Sequence, residues 1–281
     1  MPLIQQITPE VLSWIVAQAR AGHSRDAVLH AMRESGWEGA IARAAISRAM
    51  NGEVPADPAP SVERALPWPN LTGSPCTLRA LDREVQVLSV LRLPRLVTFG
   101  GLLSRDECDL LIETARPRLE PSSTVDNWDG GSQKSDFRTS QGMFFERGEC
   151  EIVGRLESRV SDLLQWPVDH GEGLQVLRYG PGEEFRPHHD FFEPGLPSSP
   201  RLLERGGQRV ATLLIYLKAP RSGGQTEFPD IGLEVVPVQG NAVLFSYDRP
   251  DSGTKTLHGG KPVVEGEKWV ATKWLRERAF A

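Results

Sequence analysis

The stretch RYGPGEEFRPHHDFF, Arg178–Phe192, sets two histidines beside an aspartate among glycine, proline and aromatic residues. If EFRPHHDFF is extended, its side chains alternate faces, so His188 and Asp190 share one face and His189 points away. An H-x-D pair on one strand face can hold a metal, whereas the adjacent His189–Asp190 pair cannot easily do so. Strand patterns surround this stretch. LQVLRY precedes it, and RVATLLIYLK, LEVVPV, NAVLFSY, KPVV and KWVATKWL follow, separated by Gly, Pro, Asn and Asp turns. Upstream, REVQVLSVLRLPRLVTF alternates as a pair of strands. SRDECDLLIETARPRL and CEIVGRLESRVSDLLQW carry amphipathic helix patterns, the first with Ser104 as cap and Glu107 at the capping-box position. Strands following helices predict an α+β fold with a β-sandwich or barrel core. Between the two helices, PSSTVDNWDGGSQKSDF (Pro121–Phe137) is long and polar, the composition of a loop able to close over a ligand.

The 281 residues are enough for a large core and a small second domain. The first fifty residues carry their own helix signals. Thr8 with Pro9 and Glu10, and Ser24 before RDAVLHAMRES, read as two helix starts, and EGAIARAAISRAM reads as a third helix. Val11, Leu12, Ile15, Val16 and Ala19 form an apolar stripe that Leu29, Met32 and Trp37 meet; Trp14 and Trp37 read as core. GEVPADPAPSVERALPWPN then places five prolines in nineteen residues, a stiff extended linker. The division is a three-helix domain over 1–52, a linker over 53–72 and a main domain over 73–281.

Charged residues make up 25% of the chain and the net charge is −5, which argues against nucleic acid or an anionic membrane surface as the main partner. No apolar run approaches a membrane span, and MPLIQQITPEVLSW lacks the pattern of a secretory signal. Cys76, Cys108 and Cys150 are odd in number and show no paired metal spacing, which fits a reducing cytoplasm.

A third ligand candidate, His258, lies far downstream in DSGTKTLHGGKPVVEGEKWVATKW, where it ends a loop and starts a strand. Two histidines and one carboxylate, with the remaining positions open, make the facial triad of non-haem Fe(II) oxygenases. Lys268 follows ten residues later, on a strand expected to fold back beside the preceding one at the Glu265–Gly266 turn. A lysine pointing into a barrel is costly unless it meets an anion. A dicarboxylate chelating iron at one end supplies that anion at the other, and Tyr179 is placed to donate to the same carboxylate.

RTSQGMFF, HGEGLQVLRYGPGEEFRPHHDFF, QRVATLLIYL, GGQTEFP and HGGKPVVEGEKWVATKW follow one another in the order and spacing of a known family. From about Val85 to Arg276 the chain resembles the prolyl 4-hydroxylase group of 2-oxoglutarate/Fe(II)-dependent dioxygenases. The resemblance implies a double-stranded β-helix (jelly-roll) core with buttressing helices, here preceded by the small helical domain. It implies His188, Asp190 and His258 as Fe(II) ligands and Lys268 as partner of the distal 2-oxoglutarate carboxylate, with Tyr179 and Tyr216 as further co-substrate contacts. O2 is the oxidant and ascorbate the expected reductant. The products are succinate, CO2 and a hydroxylated carbon, C4 of a peptidyl proline in this family. A retained carboxylate ligand speaks against halogenation, which needs that coordination place for halide.

Arg138, Ser140, Glu172, Arg209 and Trp274 match family positions that contact a proline-rich peptide. Two positions depart. The tyrosine expected three residues before the first ligand is Phe185, and the histidine expected after the KW-aliphatic run is Arg276. A basic rim of Arg138, Arg209 and Arg276 would favour an acidic substrate or a free amino acid. Three readings stay open: a peptidyl-proline hydroxylase, an oxygenase of a free amino acid or other small metabolite, and a non-catalytic metal- or oxygen-sensing module. A protein partner for the N-terminal helices belongs with any of them.

Overall fold

The computed structural model of the chain describes residues 7–20, 23–50, 66–121, 124–125, 132–133, 139–193 and 198–280. It divides into two compact units, Met1–Arg64 and Ala65–Ala281.

The first unit holds helices Pro9–Arg20, Arg25–Glu34 and Gly39–Met50. The Ser24 hydroxyl accepts the Ala27 N–H at 3.2 Å and so caps the second helix. Leu12, Ile15, Val28, Met32, Ala42, Ala45, Ile46 and Ala49 form the core, with Trp37 packed against it. Trp14 does not join that core. It is 41% exposed, because it lies off the stripe that Leu12 and Ile15 define.

The second unit is a mixed helix and strand fold around a large antiparallel sheet. Nine strands run in the order Thr77–Ala80, Arg83–Leu91, Arg95–Gly100, Ala242–Ser246, Arg209–Lys218, Lys268–Arg276, Leu174–Tyr179, Gln141–Phe145 and Glu120–Pro121. A four-stranded sheet carries Leu233–Val235, Thr226–Phe228, His258–Gly260 and Phe185–His188. The arrangement is consistent with the jelly-roll of a 2-oxoglutarate oxygenase.

Period-two alternation sorts the central strands into two cores. Val176, Ala211, Leu213, Ile215, Trp269, Ala271 and Leu275 face helices Arg105–Ala115 and Glu151–Leu164 through Leu111, Leu156, Val160 and Leu163. Their chain neighbours Leu177, Tyr179, Val243, Phe245 and Val270 belong to a second core on the opposite face. Every residue of Lys268–Arg276 is therefore buried, two lysines and an arginine included. The two helices are tied by Arg159, 1% exposed, which donates to both oxygens of Asp82 (2.8 and 2.9 Å), both of Glu107 (2.7 and 3.1 Å) and the Leu102 carbonyl (2.8 Å). Glu107 also accepts the Ser104 N–H at 2.8 Å, so the capping box of one helix doubles as the anchor of the other.

Three expectations change. Residues 66–72, assigned by composition to the linker, belong to the second unit: Trp68 donates its backbone N–H to Leu164 at 3.2 Å and packs with Leu71 against the core. Partial burial of an indole and a leucine outweighs the local proline bias. The strand Val263–Glu265 does not pair with Lys268–Arg276; it pairs with Ser222–Gly223, while the lysine strand inserts between Arg209–Lys218 and Leu174–Tyr179. The extended segment at 184–192 is a strand only from Phe185 to His188, so Asp190 projects from the turn that follows.

Candidate metal and co-substrate site

The four-stranded sheet brings His188 and His258 into register directly opposite one another, with ring centroids 4.5 Å apart. Gly259 allows this approach: a Cβ there would lie 3.0 Å from the Phe185 carbonyl and from the Pro187 nitrogen. Phe185 stacks on His188 at 3.8 Å, and Phe245 lies against His258 at 4.5 Å, so apolar rings wall both imidazoles.

Ligand-capable atoms of His188, Asp190 and His258 all lie within 4.8 Å of one another. His188 Nδ1 is 2.9 Å from the Arg186 carbonyl, and His258 Nδ1 is 3.0 Å from that of Thr256. A carbonyl only accepts, so each Nδ1 carries the proton and each Nε2 presents a bare lone pair. Those lone pairs face Asp190, at 3.4 Å from Oδ1 and 3.5 Å from Oδ2. Burial pushes the Asp190 carboxyl up, but His258, His188 and Arg209 outweigh it and hold the group well below the usual carboxylate range. Burial pulls His258 down to about 4 against the opposing pull of Asp190, which leaves a neutral imidazole. Both Nε2 atoms and the Asp190 carboxylate thus converge as the atoms placed to hold a cation. That arrangement fits a divalent cation taking three protein ligands and leaving further coordination places open. His189 is outside this set and stacks on Phe191 at 4.6 Å.

Strand alternation aims Lys268, Val270, Thr272 and Trp274 into the cavity that holds the triad, together with Gln175, Leu177 and Tyr179 from the neighbouring strand. Lys268 is 3% exposed, and among the described residues no carboxylate pairs with it. Burial alone pulls its pKa down to about 8. Its Nζ lies 5.6 Å from the Tyr179 ring centroid, and Tyr179 is its cross-strand partner. A buried cation without a counter-charge is a receptor for an anion.

The other expected residues divide between the cavity and its surroundings, with the Tyr216 ring centroid 5.9 Å from Lys268 Nζ. Tyr216 does not line the cavity: its hydroxyl donates to Thr226 Oγ1 at 2.9 Å, and Thr226 takes the lining position. Ser140 is buried, just before the strand Gln141–Phe145, and Trp274 lines the cavity. Arg138 and most of the loop Pro121–Phe137 lie outside the described residues.

The expected basic rim does not form at Arg276, which is 1% exposed. Its guanidinium donates to Glu172 Oε1 at 3.0 Å, to the Leu202 carbonyl at 2.7 Å and to the Arg205 carbonyl. Arg209 grips the same carboxylate at 2.6 and 2.9 Å and lies 3.9 Å over the Trp274 ring. Both arginines turn inward because Glu172 is buried and needs them: burial raises its carboxyl, and Arg209 with Arg276 more than offsets that. The case for an acidic substrate loses its basis.

Thr212 was missed. Its Oγ1 lies 2.7 Å from Asp190 Oδ2 and 3.0 Å from the Tyr247 hydroxyl. A threonine inside RVATLLIYLK carries no pattern that separates it from ordinary strand residues.

A paired-sheet fold, with a two-histidine carboxylate set and a buried lysine lining one cavity, matches the class of 2-oxoglutarate/Fe(II) oxygenases. Residues 174–276 match the 2OG-Fe(II) oxygenase superfamily. Prolyl 4-hydroxylase 5 of Arabidopsis thaliana is 40% identical over 220 residues, which span 71% of this chain and 73% of that protein. Prolyl 4-hydroxylase 1 of the same plant is 42% identical over 203 residues, 66% and 70% of the two chains. Among solved structures, the viral collagen prolyl hydroxylase of Paramecium Bursaria Chlorella virus-1, in complex with 2OG, superposes with a TM-score of 0.50 at 29% identity, covering 64% of this chain and 95% of that one. The chain belongs to the prolyl 4-hydroxylase family of 2-oxoglutarate/Fe(II) dioxygenases, with Fe(II) as its metal and 2-oxoglutarate as its co-substrate.

Proposed function

We propose that the chain hydroxylates C4 of a proline within a peptide. The observation that carries this reading is the presence, in one cavity, of the converging His188–Asp190–His258 donors and of Lys268, which no carboxylate among the described residues pairs. Similarity to prolyl 4-hydroxylases over 71% of the chain supports peptidyl proline as substrate. In this reading His188, Asp190 and His258 hold Fe(II). Lys268 neutralises the far carboxylate of 2-oxoglutarate, with Tyr179 beside it. The bound metal and co-substrate supply the oxidising power, consuming O2 and releasing succinate and CO2, and ascorbate keeps the iron reduced.

The protein's own part is positional. Carbonyls of Arg186 and Thr256 fix the imidazole tautomers. Phe185, Phe228 and Phe245 set apolar rings against the two imidazoles and fix their planes. The Glu172–Arg209–Arg276 cluster holds Trp274 at the substrate side, so these residues and Ser140 act on the peptide directly or through Trp274. Phe185, in place of a tyrosine, makes the entrance less polar and favours an apolar residue there.

The fold we infer is a double-stranded β-helix with buttressing helices, preceded by a small helical domain that serves as a partner-recognition module. The exposed Trp14 supports that role. Among the described residues no helix is long and apolar enough to cross a membrane. The free Cys76, Cys108 and Cys150 support the cytoplasmic reading.

Incubating the Fe(II)-loaded protein with 2-oxoglutarate, ascorbate and a proline-rich peptide tests the assignment. Tandem mass spectrometry should find one added oxygen on proline, absent in His188→Ala. Oxygen found on another residue type, or no oxygen on any peptide, would overturn it.

A further inference from the structure

Among the described residues, Asp190 is the member of the triad that a side chain outside the triad holds by a hydrogen bond. Its Oδ2 accepts the Thr212 hydroxyl at 2.7 Å, and Thr212 Oγ1 is 3.0 Å from the Tyr247 hydroxyl. All three groups are buried, at 7%, 1% and 2% exposure. An ionised carboxylate has no proton to give, so the Thr212 proton points at Asp190. The remaining contact then has one direction: Tyr247 donates to Thr212. The two hydroxyls form a directed chain, Tyr247 to Thr212 to Asp190, ending on a single carboxylate oxygen. Asp190 Oδ1, 3.4 Å from His188 Nε2, receives no hydroxyl among the described residues.

Each link comes from a different part of the sequence. Asp190 sits just past one edge of the four-stranded sheet, Thr212 lies on a central strand of the large sheet, and Tyr247 follows the strand Ala242–Ser246. The Tyr247 backbone N–H bonds the Val210 carbonyl at 2.9 Å, and Phe191 packs on its ring at 5.9 Å. The chain therefore fastens a ligand that leaves its strand to the rigid centre of the fold. The charged groups acting on Tyr247 are Asp190, Arg209 and Glu172. They bear on a hydroxyl whose donor role is set by hydrogen-bond geometry.

We propose that Thr212 and Tyr247 are positioning residues that commit one oxygen of Asp190 to the protein and present the other to the metal. A carboxylate free to turn both oxygens to the metal would fill a coordination place that the co-substrate or O2 needs. This rests on the iron-site reading above and adds to it the residues that enforce one-oxygen ligation. A hydroxyl relay holding a metal carboxylate follows the general rule that partners of metal ligands tune affinity by ~10- to 100-fold.

Co(II) serves as probe, titrated into the full chain without O2 and followed by its visible absorption. Thr212→Val keeps the shape and removes the hydroxyl; we expect ~10-fold or greater weakening of Co(II) binding and a changed band shape. Tyr247→Phe should move both readouts in the same direction by less, because Thr212 still reaches Asp190. Thr212→Ser should restore the wild-type spectrum and affinity. Wild-type affinity and band shape in folded Thr212→Val would overturn the proposal. If Thr212→Val fails to fold, an unaltered Tyr247→Phe spectrum, or a Thr212→Ser that does not match wild type, would do the same. Failure of the wild-type chain to bind Co(II), with His188→Ala indistinguishable from it, would instead overturn the iron-site reading beneath.

Discussion

At the scale of single residues, Lys268 most clearly trades stability for function. It is buried with no counter-charge among the described residues, and burial pulls its pKa down to about 8. In the unfolded chain it holds its proton to a higher pH, so between about 8 and the ordinary lysine value the unfolded state binds more protons. Stability from this group therefore rises with pH across that window, and below it the full cost of the buried charge is present. Lys268→Met should stabilise the protein by roughly 3 kcal/mol at neutral pH, read by chemical denaturation. The same variant should lose 2-oxoglutarate binding, measured by calorimetry. In the wild type, co-substrate affinity should decline as pH rises through about 8, because the neutral amine no longer attracts the carboxylate. A co-substrate affinity that is flat from pH 7 to 9.5 would contradict the assignment. The clustering of His188, Asp190 and His258 follows the residue types the sequence offered, but strand alternation does not carry Asp190, which lies past the strand Phe185–His188. Arg276 was misread: nothing in KWLRER tells whether an arginine points outward or toward a buried Glu172 a hundred residues away. Thr212 and Tyr247 were invisible for the same reason, since their roles exist only once three distant segments meet.

At the scale of elements, two devices hold the ligand-bearing strands in place. Gly259 lets His258–Gly260 lie against Phe185–His188, where an added Cβ would come within 3.0 Å of backbone atoms. Gly259→Ala should separate the strands and weaken metal binding several-fold with little loss of overall stability, as a Co(II) titration beside a melting curve would show. Behind the sheet, Arg159 locks the helix Glu151–Leu164 to the capping box of Arg105–Ala115. Arg159→Met leaves Asp82 to solvent and Glu107 to Arg83 and the Ser104 N–H, and should cost about 1–2 kcal/mol. The pH dependence follows from the same contacts. For Asp82 the Arg159 hydrogen bond lowers the carboxyl; for Glu107 burial raises it, but Arg159 and the Ser104 N–H outweigh that. Both folded-state values lie below the unfolded ones, so this stabilisation is complete above the ordinary carboxylate range and is lost as pH falls through the depressed values. Arg159→Met should flatten that acid limb in a denaturation series. The capping box was readable as Ser104 with Glu107, and both long helices from their periodicity. The strand Gln141–Phe145 was not, being a short apolar run that only its partner Leu174–Tyr179 defines as a strand.

At the scale of the whole molecule, the sequence disclosed the layered α+β character because its strands cluster after its helices and its turns are marked by Gly, Pro, Asn and Asp. It did not disclose which strands pair. Lys268–Arg276 joins the large sheet and Val263–Glu265 the small pair, because pairing depends on contacts between segments far apart in the chain. That pairing sets Lys268 across from Tyr179, the two residues proposed above to meet the co-substrate. The boundary between the two units was legible only to within a dozen residues, since Trp68 and Leu71 sit in a proline-rich stretch yet supply apolar area to the second core. At this scale the cavity couples 2-oxoglutarate turnover to oxidation of a peptidyl proline. Succinate release by the Fe(II)-loaded full chain, compared between a proline-rich peptide and a pool of free amino acids with His188→Ala as blank, tests it most directly. Stimulation by the peptide alone, abolished in the blank, is the predicted result; stimulation by the free amino acids and not by the peptide would contradict it.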